Sequence, residues 1–133
     1  MPDSALSTSD RDQLRVILDD ERRRTSEQVH ALSNDLDTII EASAVAPPDD
    51  EHDPEGATIG FERAQVASLL DRARRRLVEL DRAEERLAAG TYGTCQHCGH
   101  PIEVERLVAH PTAPTCMECA GGLSLGLRRR ALS

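Results

Sequence analysis

The sequence predicts a mainly α protein: a long antiparallel coiled-coil helical hairpin, then a small four-cysteine module with a C-terminal helix. Three observations carry this. Residues 9–46 and 54–89 each repeat apolar side chains in steps of four and three, with Pro47-Pro48 and an acidic loop between them. Aromatic content is only 2%, a single Phe61 and a single Tyr92, too little bulk for an ordinary globular core. All 4 cysteines fall as two Cys-x-x-Cys pairs in the last third of the chain.

The first helix follows a polar tail. Ser9 with Asp12 three residues on has the form of a capping box, in which each residue satisfies a backbone N–H of the other. The positions Leu18, Thr25, Val29, Leu32, Leu36 and Ile39 then recur with heptad spacing, Arg22 filling one slot. Pro47-Pro48 stops this helix because proline lacks the N–H and disfavours helical geometry in the residue before it. The second helix carries Val66, Leu70, Ala73, Leu77, Leu80, Glu84 and Leu87 in the same rhythm, and Gly90 ends it. Two such arms, each roughly 45–55 Å long, bury their seams most economically against each other within one chain. A dimer could bury the same seams, but the economical answer is a monomeric hairpin. Domain boundaries follow: residues 1–89 form the tail and hairpin, with the tip at 47–56, and residues 90–133 form the cysteine module and C-terminal helix.

The cysteine spacing Cys95-x2-Cys98-x17-Cys116-x2-Cys119 brings two thiolate pairs to one tetrahedral site, a ligand set that selects zinc, or less often iron. Gly99 directly after the first pair lets the backbone turn amide groups back toward sulfur. Two disulfides need an oxidising compartment, and the N-terminus Met-Pro-Asp-Ser-Ala-Leu-Ser has neither the apolar run nor the basic lead of a signal peptide. A thioredoxin-like redox pair needs a βαβ pattern that is not visible. An iron–sulfur cluster suits four thiolates as well. One structural zinc, held by Cys95, Cys98, Cys116 and Cys119, is the favoured reading; His97, His100 and His110 could each replace a thiolate, but with four cysteines already paired they read as groups at the surface or beside the ligands.

Composition narrows the function. The formal net charge of −8 argues against nonspecific nucleic-acid binding by the whole surface and suits a basic partner or an approach to metal ions. No apolar stretch approaches the ~20 residues of a membrane span. The tip concentrates Asp49, Asp50, Glu51, Asp53 and Glu55 within ten residues. A solvated turn explains much of this, since Asp53-Pro54-Glu55 is also a favourable helix start. Arg22-Arg23-Arg24 and Arg74-Arg75-Arg76 sit mid-helix among acids, where i,i+4 pairing on a solvated face accounts for most of each run. Arg128-Arg129-Arg130 suits a helix C-terminus as well as a partner contact.

The tip and the module together resemble a known family. Tyr92-Gly93-Thr94-Cys95-Gln96-His97-Cys98-Gly99, then Ile102, Arg106-Leu107-x-Ala109, Pro111-Thr112-Ala113 and Cys116-x-x-Cys119, look like the zinc finger of the DksA/TraR family of bacterial transcription factors. The resemblance is specific over about residues 91–119 and architectural over residues 9–89. It implies a cytoplasmic protein that binds bacterial RNA polymerase rather than a specific DNA sequence. The hairpin would enter the secondary channel, and tip acids would approach the catalytic centre and alter initiation. The four cysteines match every ligand position of the family's finger. Of the two tip aspartates that the family spaces three residues apart, Asp53 takes the first place, while Gly56 stands at the second with Glu55 beside it. Arg72 falls where the family has an arginine that helps hold polymerase. Where some members place basic residues for a guanosine tetra/pentaphosphate alarmone, this chain has Glu79, His110 and Ala120. An anion and a methyl make poor phosphate partners, so little or no alarmone response is expected.

The alternative is a zinc-finger adaptor or nucleic-acid-binding protein that uses the finger and the C-terminal arginines. Residues 90–133 carry four arginines against three glutamates, without the basic recognition helix that a DNA reader presents. An enzyme is not expected, because four cysteines close the coordination shell and leave no open position.

Overall fold

In a computed structural model, residues 6–45 and 54–121 are described, and they contain four helices: α1 Thr8–Val45, α2 Pro54–Ala89, α3 Val104–Ala109 and α4 Met117–Gly121. Among these residues there is no strand, only an isolated bridge between Thr94 and Pro101. No helix among them is long and apolar enough to cross a membrane. The loop acids Asp49, Asp50, Glu51 and Asp53, and Arg128-Arg129-Arg130 with the rest of the expected C-terminal helix, lie outside the described residues.

The helix ends follow local chemistry. At the start of α1 the capping box is Ser7 with Asp10, not the expected Ser9 with Asp12. The Asp10 N–H donates to Ser7 Oγ at 3.0 Å, and the Ser7 N–H donates to Asp10 Oδ2 at 3.2 Å. Both pairs have the same Ser-x-x-Asp form. The earlier one wins because the residue before its cap, Leu6, has an apolar seat, being only 7% exposed. Helix α2 begins at Pro54, where a missing N–H costs nothing. It ends as expected at Gly90, whose φ of +81° suits glycine. There the Thr91 N–H bonds Arg86 O at 2.9 Å and the Gly90 N–H bonds Leu87 O at 3.3 Å, a Schellman closure.

The chain forms two compact units, Met1–Glu21 with Glu79–Ser133, and Arg22–Val78. The second consists of helical seams. Thr25 of α1 and Leu70 and Ala73 of α2 are buried, and Val29, Leu32, Leu36, Ile39, Val66 and Leu77 are half-buried at the heptad positions. Arg22 is exposed and leaves its slot. The guanidinium keeps its hydration, while Glu21 next to it is half-buried. Two pairs that the arginine runs were expected to make are present, Arg23–Glu27 at 3.7 Å and Arg75–Asp71 at 3.1 Å, both i,i+4 and both well exposed.

The first unit holds the main core. Leu6, Leu14 and Leu18 from the beginning of the chain meet Leu80 and Ala83 from the end of α2, with Tyr92, Cys95, Ile102 and Leu107. The beginning of α1 thus packs on the end of α2, which is the antiparallel arrangement. Here α2 departs from its expected seam. Ala83, not Glu84, is fully buried, because the cysteine module presents further apolar groups to this face and only a methyl fits without stranding a charge.

Candidate metal centre

The two Cys-x-x-Cys turns are held by separate backbone devices. In the first, the Cys95 N–H donates to His100 O at 2.8 Å and the Gly99 N–H to Cys95 O at 2.9 Å. Gly99 has φ +78°, so the turn depends on glycine there, as its position after the cysteine pair predicts. The Gln96 N–H donates to Pro114 O at 2.9 Å and ties this turn to the loop entering the second. That loop is gripped by Arg106 of α3, whose Nε donates to Thr115 O at 3.0 Å. The second turn runs into α4, where the Ala120 N–H bonds Cys116 O at 2.9 Å.

Below the turns, Tyr92 is buried and donates its hydroxyl to Pro111 O at 2.7 Å. Burial pushes its phenol up to about 12, the neighbouring Arg86 cation pulling weakly the other way. At Gly93, φ is +89°, and a methyl would come within 2.5 Å of Leu6 Cδ1. The tail and the module therefore touch through an atom-sized gap.

The four sulfurs of Cys95, Cys98, Cys116 and Cys119 lie within 4.8 Å of one another, and Cys98 Sγ and Cys116 Sγ are 3.8 Å apart. Tetrahedral zinc with Zn–S bonds of ~2.3 Å requires S···S separations of about 3.8 Å, so the donor set fits this ion. The cysteines are free thiols, not disulfides. As thiols they titrate unevenly. At Cys95 burial raises the pKa, but the backbone N–H groups of Cys98, Cys116 and His97 outweigh it and hold it at about 6. Burial and the adjoining sulfurs push Cys119 up to about 12. Several thiolates at this spacing repel one another, and a divalent cation reverses that preference. Cys95 is almost fully buried within the apolar core, whereas Cys98 is exposed. The cluster is a structural zinc site, and a closed one.

The other candidate residues lie elsewhere. Arg72 is exposed on α2, and Glu55 falls in the first turn of α2, its side chain outside the described residues. Glu79, on the α2 face toward the module, accepts from Thr112 Oγ1 at 3.3 Å, and Arg86 reaches Thr112 O at 3.5 Å. His110 closes α3, its N–H on Arg106 O at 2.7 Å. Sequence reasoning passed over Leu6 and Leu14 as core residues, although both carry the apolar signal.

Comparison with known proteins gives the same picture. The prokaryotic dksA/traR C4-type zinc finger matches residues 90–124. The solved structure of transcription factor DksA2 from Pseudomonas aeruginosa aligns with a TM-score of 0.78 at 29% identity, over 96% of this chain and 94% of that one. Residues 90–124 thus carry the DksA/TraR type of zinc finger, and the chain as a whole shares the fold of a DksA-type transcription factor. An RNA polymerase-binding transcription factor DksA of Caulobacter vibrioides is 39% identical over 57 residues. That match spans 43% of this chain and 40% of the relative's length. An uncharacterised protein of Aquifex aeolicus is 46% identical over 44 residues, 33% of this chain and 30% of its own length. The DksA/TraR relatives named by function are transcription factors, not enzymes.

Proposed function

We propose that this chain is a cytoplasmic bacterial transcription regulator that binds RNA polymerase through its secondary channel and modulates initiation. The observation that carries the reading is the likeness to a DksA-type transcription factor over 96% of the chain, so that paired long helices and finger recur together rather than the finger alone. The helices are the delivery element. A pair of packed helices is thin enough to enter a channel that a globular domain cannot, and carboxylates at its end can perturb ion contacts or hydrogen bonds without doing chemistry themselves. Asp53, with Glu55 beside it, is the proposed effector, and Arg72 is a proposed contact to polymerase. The zinc, held by Cys95, Cys98, Cys116 and Cys119, acts by folding. It fixes the module that packs the beginning of α1 on the end of α2, and it leaves no open coordination position for catalysis.

The reading is tested by binding. Purified bacterial RNA polymerase should retain the zinc-loaded chain, and a variant lacking residues 48–53 should still be retained, because the helices supply the affinity. Failure of the full chain to bind core polymerase or holoenzyme would remove the reading. Retention of the chain by promoter DNA without polymerase would favour the nucleic-acid-binding alternative.

A further inference from the structure

The four sulfurs are unequally protected. Cys95 is only 2% exposed, among Leu80, Ile102 and Leu107, whereas Cys98 is open to solvent at a surface pocket of about 360 Å3. In a zinc tetrathiolate the ligand most open to water is the one that dissociates first, so the lifetime of the site rests on Cys98. Two groups of one residue converge on this sulfur. Gly99 turns the chain so that the His100 backbone amide faces Cys98, a bond that any residue at this position could provide. The His100 ring adds a second, with Nδ1 at 3.3 Å from Cys98 Sγ. Few side chains could supply it. A metal-bound thiolate has no hydrogen to give, so the ring nitrogen facing it carries the proton and donates. The His100 backbone is held for this task by the Cys95 N–H on its carbonyl at 2.8 Å and by the Thr94–Pro101 bridge.

We propose that His100 is a positioning residue for the zinc site: its Nδ1–H donates to the Cys98 thiolate and retains this exposed ligand on the metal. An N–H···S bond spreads the charge of the thiolate and fixes its torsion, and both effects oppose departure of the sulfur. The inference rests on zinc binding and is independent of what the protein regulates.

The test is the rate at which zinc passes from the intact, zinc-loaded chain to a chromogenic chelator, with circular dichroism confirming equal helicity. His100→Ala keeps the backbone donor and removes only the ring. Release should quicken about 10-fold, the lower end of what loss of a hydrogen bond to a metal ligand costs. His100→Asn places an amide nitrogen where Nδ1 stands and should restore most of the wild-type rate. In cadmium-113-substituted protein the His100 Nδ1 proton should show scalar coupling to the metal through the sulfur, which a ring that merely packs there cannot show. Release from His100→Ala within twofold of wild type would overturn the proposal. So would faster release that Asn does not restore, since that would assign the effect to ring packing.

Discussion

Gly93 offers a quantitative test of how the N-terminal tail and the cysteine module share one core. Its φ of +89° penalises any side chain, and a methyl placed there would stand 2.5 Å from Leu6 Cδ1, 3.0 Å from Leu6 Cγ and 3.8 Å from Leu107 Cδ1. Gly93→Ala therefore carries two costs: about 1–3 kcal/mol for the backbone conformation and about 1–3 kcal/mol for overpacking against Leu6. Leu6→Ala alone should cost about 2–3 kcal/mol, toward the low end for a buried leucine because Ser7 beside it is exposed and the site can partly close in. Combined, the two changes should cost less than their sum by about 1–2 kcal/mol, because Leu6→Ala removes the atoms that the new methyl strikes. The assay is urea unfolding of the four zinc-loaded proteins followed by circular dichroism. In thermal unfolding the same coupling should appear as roughly 3–8 °C of non-additivity. Strict additivity would refute the contact, and a harmless Gly93→Ala would refute the backbone argument as well.

Tyr92 is the only tyrosine, so absorbance at 295 nm reads it alone. Its pKa is raised to about 12, so the folded state favours the neutral phenol. That contribution is complete below pH ~10, the unfolded value, and is lost as pH rises toward 12. Tyrosinate should appear near pH 12 in folded protein and near 10 in urea, and a folded midpoint near 10 would contradict the buried hydroxyl bond to Pro111. Ser7→Ala removes the N-cap of α1 and should cost about 1 kcal/mol, while Ser9→Ala should cost little; the reverse order in urea unfolding would restore the cap that the sequence suggests. Elemental analysis should find one zinc per chain, and Cys116→Ala should lose both the metal and the dispersed amide spectrum of residues 91–121, since zinc binding in such modules contributes ~10 kcal/mol or more to folding. Unchanged finger chemical shifts would count against this.

Much of this was legible in the sequence because it rests on short-range rules. Cysteine spacing, Pro54 at the first position of α2 and Gly90 beyond its end each specify a local geometry, and the heptad positions from Thr25 to Ile39 specify a face. The discrepancies arise where tertiary contacts choose between locally equivalent options. Ser7–Asp10 and Ser9–Asp12 are indistinguishable until Leu6 is seen to need a seat. Ala83 and Glu84 are neighbours on α2, and only the apolar groups brought by the module decide which turns inward. The sequence leaves His100 either at the surface or beside the ligands, and its ring at Cys98 is a matter of side-chain reach that spacing cannot decide. The tip is a different case. Asp53 lies outside the described residues, and the role proposed for it is a property of a complex rather than of the chain alone.

That role is tested most directly by replacing Asp53 with Asn and Glu55 with Gln together, and measuring both polymerase binding and promoter-dependent initiation in vitro, with and without guanosine tetraphosphate. Asn remains a good N-cap, so the stability of α2 should hardly change. The account predicts that the double variant binds polymerase as wild type does but no longer alters initiation, and that the alarmone adds little to the wild-type effect. If variant and wild type change initiation equally, or if neither binds, the acidic tip is a solvated turn and the central claim is wrong.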